Sequence, residues 1–374
     1  MNKNKISIFL PSLYGGGAER VMVNLANGLI ELGYQVDVVL AKKDGKFFNL
    51  LNSKIEIIDL RSKRTFLCLF GLIKYLKKDK PTALISGLDH ANIICILAQK
   101  ISRAGCRSII TLHANFQPTY DDETINNIVK IKQKAFDCFI GLIFPFANNI
   151  IAVSEGVKEF YQNKYKLPKN KMKVIYNPVI DNSLKEKAKE PLDHPWFSQE
   201  HTPIILCVGR LSAQKNFKDA IYAFCEVRKH IKAKLVFLGE GEERLSLEEI
   251  IGKCGYKEDI EMLGFVSNPY KYLSRSSVFL LSSLFEGLPT VIIEALSLGI
   301  PVVSTDCPSG PSEIIGQNKY CRIVPVGDIH GLANGILEVI NKKILPEGLN
   351  GLNVYDVGYA SRKYVEIINE EGGF

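Results

Sequence analysis

Short β-branched runs alternate with amphipathic segments from one end of the chain to the other. That alternation limits the possible folds more than any single motif does. In the first half the runs are KISIFL, QVDVVL, IEIIDL, ALISGL, RSIITLH and NIIAVS; in the second they are PIILCVGR, KLVFLG, IEMLGF, SVFLLSS and PVVST. Helical patterns such as AERVMVNLANGLIELG and FKDAIYAFCEVRKHI separate them. Strand–helix–strand repetition predicts parallel sheets covered by helices. Two such series within 374 residues predict an α/β chain of two doubly wound domains, over 1–180 and 200–353. The join is expected within 176–203, a polar segment carrying Pro178, Pro191, Pro195 and Pro203.

Composition narrows the partners. The chain is 46% hydrophobic and 23% charged, with a formal net charge of +7. A mild basic excess fits phosphate, nucleotide, nucleic acid or an acidic membrane surface, and fits equally a soluble enzyme that binds none of these; the motifs, not the charge, make a nucleic-acid partner unexpected. The nine cysteines form no C-x-x-C pair and sit mostly in apolar contexts. They read as reduced core residues of a cytoplasmic protein, and no metal is expected. The N-terminal MNKNKISIFLPSLYGGG breaks at Pro11, too early for a secretion signal, and reads as a first strand. No apolar stretch reaches the roughly 20 residues that span a bilayer. Two come part of the way, at 65–76 and 136–153. Lys74, Lys77, Lys78 and Lys80 flank one, and Lys130, Lys132 and Lys134 the other. Each is either a core helix with a solvated basic end or a segment that lies on an anionic membrane face.

In an open parallel sheet, ligands sit beyond the carboxyl ends of the strands. After the first run come Gly15, Gly16 and Gly17, which permit close approach at a helix N-terminus; a tight turn would use them equally well. They do not spell G-x-G-x-x-G, and no acid ends QVDVVL, so a nicotinamide cofactor is disfavoured. His113, followed by Ala114 and Asn115, ends RSIITLH as a structural histidine or a cleft group. Arg210 and Lys215 share the loop GRLSAQKN, as a solvated charge pair or a diphosphate grip. In FEGLPTVIIEALSLG, Pro289 is expected at the first helical position and Gly299 at the stop. Glu286 then falls in the loop and Glu294 one turn into the helix. The N–H groups of GLPTV suit phosphate, and the two acids suit sugar or ribose hydroxyls. The main chain at Phe265 and Val266 ends another strand, where it could read a nucleobase edge.

Taken in order, GGGAER, LHANF, VGRLSAQKNF, LGEGEER, LGFV, FEGLPTVIIEALSLGIPVVSTDCPSGPSEII and VPVGD resemble the retaining glycosyltransferases of family 4 across nearly the whole chain. The resemblance implies a GT-B fold, two Rossmann-like domains facing a central cleft. The first domain would bind the acceptor and the second a nucleotide-sugar donor, with the helix of 354–374 crossing back onto the first. It implies that Gly16 and Gly17 face the donor diphosphate and the acceptor, and that His113 touches the donor sugar. Arg210 and Lys215 would neutralise the leaving diphosphate. Glu286 would hold donor-sugar hydroxyls and Glu294 the ribose diol. The backbone of Gly287, Leu288, Pro289, Thr290 and Val291 would cradle phosphate and sugar.

The family needs no metal or cofactor, and no D-x-D triplet occurs. It transfers on the front face, with the leaving phosphate helping to deprotonate the acceptor and no obligatory protein nucleophile. Similar bacterial enzymes extend lipid-linked or surface glycans, often from UDP-sugars. This implies a UDP-linked hexose or N-acetylhexosamine donor, a polyprenyl-diphosphate-linked acceptor and an anionic inner-membrane surface as partners. A GT-B epimerase or phosphorylase, and a non-catalytic membrane-associated scaffold that binds nucleotide sugar, are the competing readings.

Overall fold

The computed structural model describes residues 2–14, 16–62, 65–113, 127–198, 202–342 and 351–370. Gly15, Ala114 and Asn115 lie outside them. The chain divides into two compact units, Met1–Val179 with Val354–Phe374, and Ile180–Asn353.

The first unit holds seven strands: β1 (Asn2–Leu10), β2 (Gln35–Leu40), β3 (Glu56–Asp59), β4 (Pro81–Gly87), β5 (Arg107–Leu112), β6 (Asn149–Ala152) and β7 (Met172–Val174). All pair in parallel, in the order β3-β2-β1-β4-β5-β6-β7. The second unit holds β8 (Ile204–Val208), β9 (Lys234–Leu238), β10 (Ile260–Gly264), β11 (Val278–Leu281), β12 (Val302–Thr305) and β13 (Arg322–Val324). These are also parallel, in the order β10-β9-β8-β11-β12-β13. Helices cover both faces, so the central strands are largely apolar, with the few polar side chains such as Ser7 and Ser86 buried among them. Ile6, Ile8, Phe9 and Leu10 of β1 are buried, and so are Val278, Phe279, Leu280 and Leu281 of β11.

Two elements depart from expectation. The three-residue edge strands β7 and β13 were not foreseen, being too short to show a pattern. The segment expected as a linker between 180 and 200 is built into the second unit, which starts at Ile180. Its helix Asn182–Ala188 is capped by Asp181, and Leu184 and Ala188 pack on Tyr270. Trp196 and Phe197 lie against that unit's core. Polarity and proline marked the segment as a linker, but two aromatic rings hold it down.

The C-terminal helix Val357–Asn369 packs on the helix Gly17–Glu31 of the first unit. Arg107 Nη1 donates to the carbonyl of Ile367 at 2.8 Å, and Lys173 pairs with Glu370. Contact between the two helices depends on Gly28. A Cβ there would stand 2.2 Å from Ser361 Oγ and 2.7 Å from Val357 Cγ1. Gly28→Ala is therefore expected to destabilise the protein by about 1–3 kcal/mol despite alanine's better helix propensity. Gly141→Ala, whose Cβ meets nothing within 4 Å, should be neutral or stabilising by about 0.5–1 kcal/mol. Urea unfolding of both variants checks the contrast, and equal midpoints would contradict the packing argument.

Candidate functional site

In each sheet the strand order reverses between two neighbours, β1 and β4 in the first unit and β8 and β11 in the second. Loops leaving such a pair diverge and open a crevice at the carboxyl edge. In the second unit this point brings together Lys215, after β8, and Glu286, after β11. Lys215 Nζ lies 2.6 Å from Glu286 Oε1, and both side chains are largely buried. Glu286 is only 7% exposed. Ser283 Oγ donates to the same oxygen at 2.7 Å. The surrounding loops are bound to one another. Ser282 Oγ donates to the Lys215 carbonyl at 2.9 Å, Gln214 Nε2 to the Phe285 carbonyl at 2.9 Å, and Leu284 N–H to the Gln214 carbonyl at 2.8 Å. The loop after β12 closes the third side. Glu286 N–H donates to Pro308, Ser309 N–H to Glu286, and Ser309 Oγ to Gly287.

The other expected residues of the second unit are in different states. Arg210 reaches Glu242, with Nε and Nη2 each 3.1 Å from Oε2, in a pair whose side chains are 73% and 55% exposed. Gly287, Leu288 and Pro289 are buried, while Thr290 and Val291 are half-buried. Pro289 is extended, with φ −70° and ψ 95°, and caps a helix running Thr290–Ser297, one residue later than expected. That helix ends as expected: Gly299 has φ 76°, and Gly299 and Ile300 N–H groups bond back to Leu296 and Ala295. Glu294 is half-buried on it, accepting from Tyr270 Oη at 3.2 Å. Phe265 is exposed and Val266 half-buried beyond β10.

In the first unit, Gly16 is the exposed N-cap of Gly17–Glu31, and Gly17 is exposed beside it. The space above Gly16 is taken by Glu19, whose Oε2 lies 2.3 Å from where a Cβ would stand. Burial pushes the Glu19 carboxyl above its usual range. His113 follows β5 and lies over the end of β4, where a Cβ on Gly87 would be 3.1 Å from Nε2. Thr111 donates its hydroxyl proton to the Ser86 carbonyl at 2.8 Å. Its oxygen therefore accepts from His113 Nε2–H at 2.8 Å, which leaves Nδ1 as the ring's acceptor. Burial holds the imidazole down at about 4, so it is neutral near pH 7.

Sequence reasoning missed Gln214, Ser282 and Ser309, whose partners lie 71, 67 and 22 residues away, and Ser283, whose partner Glu286 is three residues on but is brought back to it by a turn. It also missed Asp89, which follows β4. There Tyr161 Oη donates to Oδ2 at 2.7 Å, and burial pushes the carboxyl up to about 6. The strand-end position of SGLDHAN was the available signal.

Comparison with known proteins decides the family. Residues 15–182 match the model described as Glycosyltransferase Family 4, and 189–350 the model described as Glycosyl transferases group 1. The chain belongs to glycosyltransferase family 4. An uncharacterised glycosyltransferase of Methanocaldococcus jannaschii is 33% identical over 260 residues, 68% of this chain and 61% of that relative. The N-acetylgalactosamine-N,N'-diacetylbacillosaminyl-diphospho-undecaprenol 4-alpha-N-acetylgalactosaminyltransferase of Campylobacter jejuni is 28% identical over 341 residues, 89% of each chain. The crystal structure of Anabaena HepE in complex with UDP and glucose superposes with a TM-score of 0.76 at 18% identity, covering 98% of this chain and 99% of that one. The two parallel-sheet units are thus those of the GT-B fold.

In this glycosyltransferase the second unit presents a fixed cation and a fixed carboxylate at one strand-order reversal, and the first presents a neutral histidine. The histidine makes stability depend on pH. Its folded value of about 4 lies below the ordinary 6.5, so between those values the unfolded chain binds the extra proton. The stability it contributes is present above pH 6.5 and is lost as pH falls toward 4. His113→Asn should flatten the fall in unfolding free energy across that window by up to about 1.4 kcal/mol per pH unit. Urea midpoints at pH 6.5, 5.5 and 4.5 would read this, and parallel curves for variant and parent would contradict it.

Proposed function

We propose that the protein is a retaining, metal-independent transferase. It moves a hexose or N-acetylhexosamine from a UDP-sugar to a hydroxyl of a growing polyprenyl-diphosphate-linked surface glycan. The observation that carries this reading is the Lys215–Glu286 pair at the reversal between β8 and β11. An ammonium has three donors. One goes to Glu286, so two remain for phosphate oxygens. The helix opening at Thr290 adds main-chain N–H groups and its dipole. Arg210 leaves Glu242 at small cost, because a pair so exposed contributes at most about 1 kcal/mol.

In the proposed reaction the bond between the anomeric carbon and the diphosphate oxygen breaks. The acceptor oxygen bonds that carbon on the same face, and its proton passes to the departing phosphate. Lys215, Arg210 and the helix N–H groups meet the growing negative charge. Glu286 holds donor-sugar hydroxyls, Glu294 the ribose diol, and the main chain at Phe265 and Val266 the base. His113 offers Nδ1 to a sugar hydroxyl. Glu19 beside Gly16 suits a neutral hydroxyl group better than a second anion.

The acceptor assignment draws on the Campylobacter relative, whose name specifies a diphospho-undecaprenol-linked acceptor. Among the described residues no helix is long and apolar enough to cross a membrane. Two elements of the first unit nonetheless expose apolar side chains. Phe66, Leu67 and Phe70 do so at the start of the helix Leu69–Asp79, with Phe70 81% exposed, and Ile131, Phe139 and Leu142 do so on Asn127–Ile143. Lys74, Lys77 and Lys78 are exposed on the first helix, and Lys132 and Lys134 on the second. Apolar groups among lysines suit peripheral docking on the anionic cytoplasmic face of a membrane.

Two tests follow from this reading. Lys215→Ala and Glu294→Ala should each lower transfer by about 2–4 kcal/mol, roughly 30- to 1000-fold, with circular dichroism unchanged. Mass spectrometry of products from a panel of UDP-sugars and an undecaprenyl-diphosphate-linked glycan reads the effect. Full activity in either variant, or product without acceptor, counts against transfer. Anionic phosphatidylglycerol vesicles should sediment the protein at low salt, and Lys-to-Glu changes at 130, 132 and 134 should release it. No sedimentation at low salt removes the docking surface.

A further inference from the structure

Ser282 and Ser283 directly follow β11, and each is fully buried. Neither hydroxyl can reach a substrate, yet each holds one member of the ion pair. Ser282 fixes the main chain of Lys215, and Ser283 fixes the carboxylate of Glu286. Glu286 Oε1 thus receives two donors, Ser283 Oγ at 2.7 Å and Lys215 Nζ at 2.6 Å. A carboxylate oxygen offers about two lone-pair sites, so Oε1 is filled. Among the described residues no hydrogen bond to Oε2 is seen. The main chain is pinned on both sides, Glu286 N–H on Pro308 at 2.7 Å and Glu286 carbonyl under Ser309 N–H at 2.8 Å. Ser283 is itself held, because Thr305 Oγ1 donates to its carbonyl at 2.7 Å.

We infer that Ser283 is a positioning residue of the transfer reaction: by saturating Oε1 of Glu286 together with Lys215, it leaves Oε2 as the oxygen presented to the donor sugar. The inference rests on the reading of Glu286 as a donor-sugar ligand. The last torsion of a glutamate is soft and roughly two-fold. With Lys215 as its only remaining side-chain donor, the carboxylate can turn and exchange the oxygen that faces the sugar. Ser282 acts on the other half. It sets where the Lys215 side chain begins, so its loss falls on the diphosphate and not on the sugar.

The test compares Ser283→Ala with Ser282→Ala in the full chain. UDP is the calorimetric probe. Turnover is the UDP released from UDP-glucose, UDP-galactose and UDP-N-acetylgalactosamine in the presence of an undecaprenyl-diphosphate-linked glycan. Ser283→Ala should lower kcat by roughly 10- to 100-fold and leave the Kd for UDP within about twofold. Ser283→Thr, which keeps the hydroxyl, should restore most of it. Ser282→Ala should weaken UDP itself by severalfold.

If Ser283→Ala does not fold, Ser283→Cys keeps the volume with a weak donor and should show intermediate turnover; wild-type kcat in that variant overturns the inference. So does Ser283→Ala with unchanged kcat when Lys215→Ala is impaired, an outcome that leaves the transferase reading standing. A parallel fall of Tm, UDP affinity and kcat without rescue by threonine marks a merely structural serine and also overturns it. A wild-type protein that turns over none of these three, nor any other UDP-hexose or UDP-N-acetylhexosamine in the panel, overturns both readings.

Discussion

Parallel strands all leave a sheet at one edge, and that constraint decides where chemistry can sit in this chain. Each sheet reverses its strand order once. Only at the reversal do neighbouring loops part and leave room for a ligand. In the second unit the loops after β8, β11 and β12 meet there, and their hydrogen bonds make one rigid wall. Glycines let a further loop pass behind it. A Cβ at Gly239 would stand 1.8 Å from the Gly209 carbonyl oxygen, and one at Gly241 2.2 Å from that of Leu211. The GEG of that loop is therefore explained by close backbone passage.

Electrostatics then separates the two cations that share the β8 loop. A carboxylate buried as Glu286 is loses several kcal/mol of solvation, which Lys215 and Ser283 must offset at short range. The result is a neutral, immobile pair. Arg210 and Glu242 lie in solvent, where attraction is weak and screened. One cation is thus fixed and the other easily redirected. For a leaving diphosphate the fixed one matters most at the moment of reaction, because it needs no reorganisation.

The sequence made the alternation of elements readable, and with it the positions of Lys215, Glu286 and Glu294. Punctuation by Pro289 and Gly299 is local, and local signals survive in a linear string. What failed to show was whatever depends on partners far along the chain. Ser282 and Ser283 look like the last residues of a strand. Their meaning comes from Lys215, 67 residues away, and from a turn that folds Glu286 back. The edge strands β7 and β13 are three residues each, below the length at which any period shows. The 176–203 segment has a linker's composition, but burial of Leu184, Ala188, Trp196 and Phe197 outweighs it.

The exposed apolar side chains of the first unit raise a physical question, since a helix could roll and bury them. Burying one Phe or Leu is worth about 1.5–3 kcal/mol. The helix Leu69–Asp79 is held against that gain by its other face. Tyr75 Oη donates to Asp37, Ser7 lies 2.7 Å from that hydroxyl, and Lys5 spans Asp37 at 2.7 Å and Asp79 at 3.1 Å. Burial, with Asp37 beside it, pushes the Tyr75 phenol far up, so it remains a donor. Pulling one partner from such a buried network costs about 3–5 kcal/mol, more than the roll returns for any one side chain. The helix Asn127–Ile143 uses the same chemistry. Asp137 accepts from Tyr165 Oη at 2.9 Å and pairs with Lys164 at 3.1 Å, while Ile131, Phe139 and Leu142 stay exposed. In both helices an acid, a tyrosine and a lysine fix the inner face, and that fixes which apolar residues stay outside.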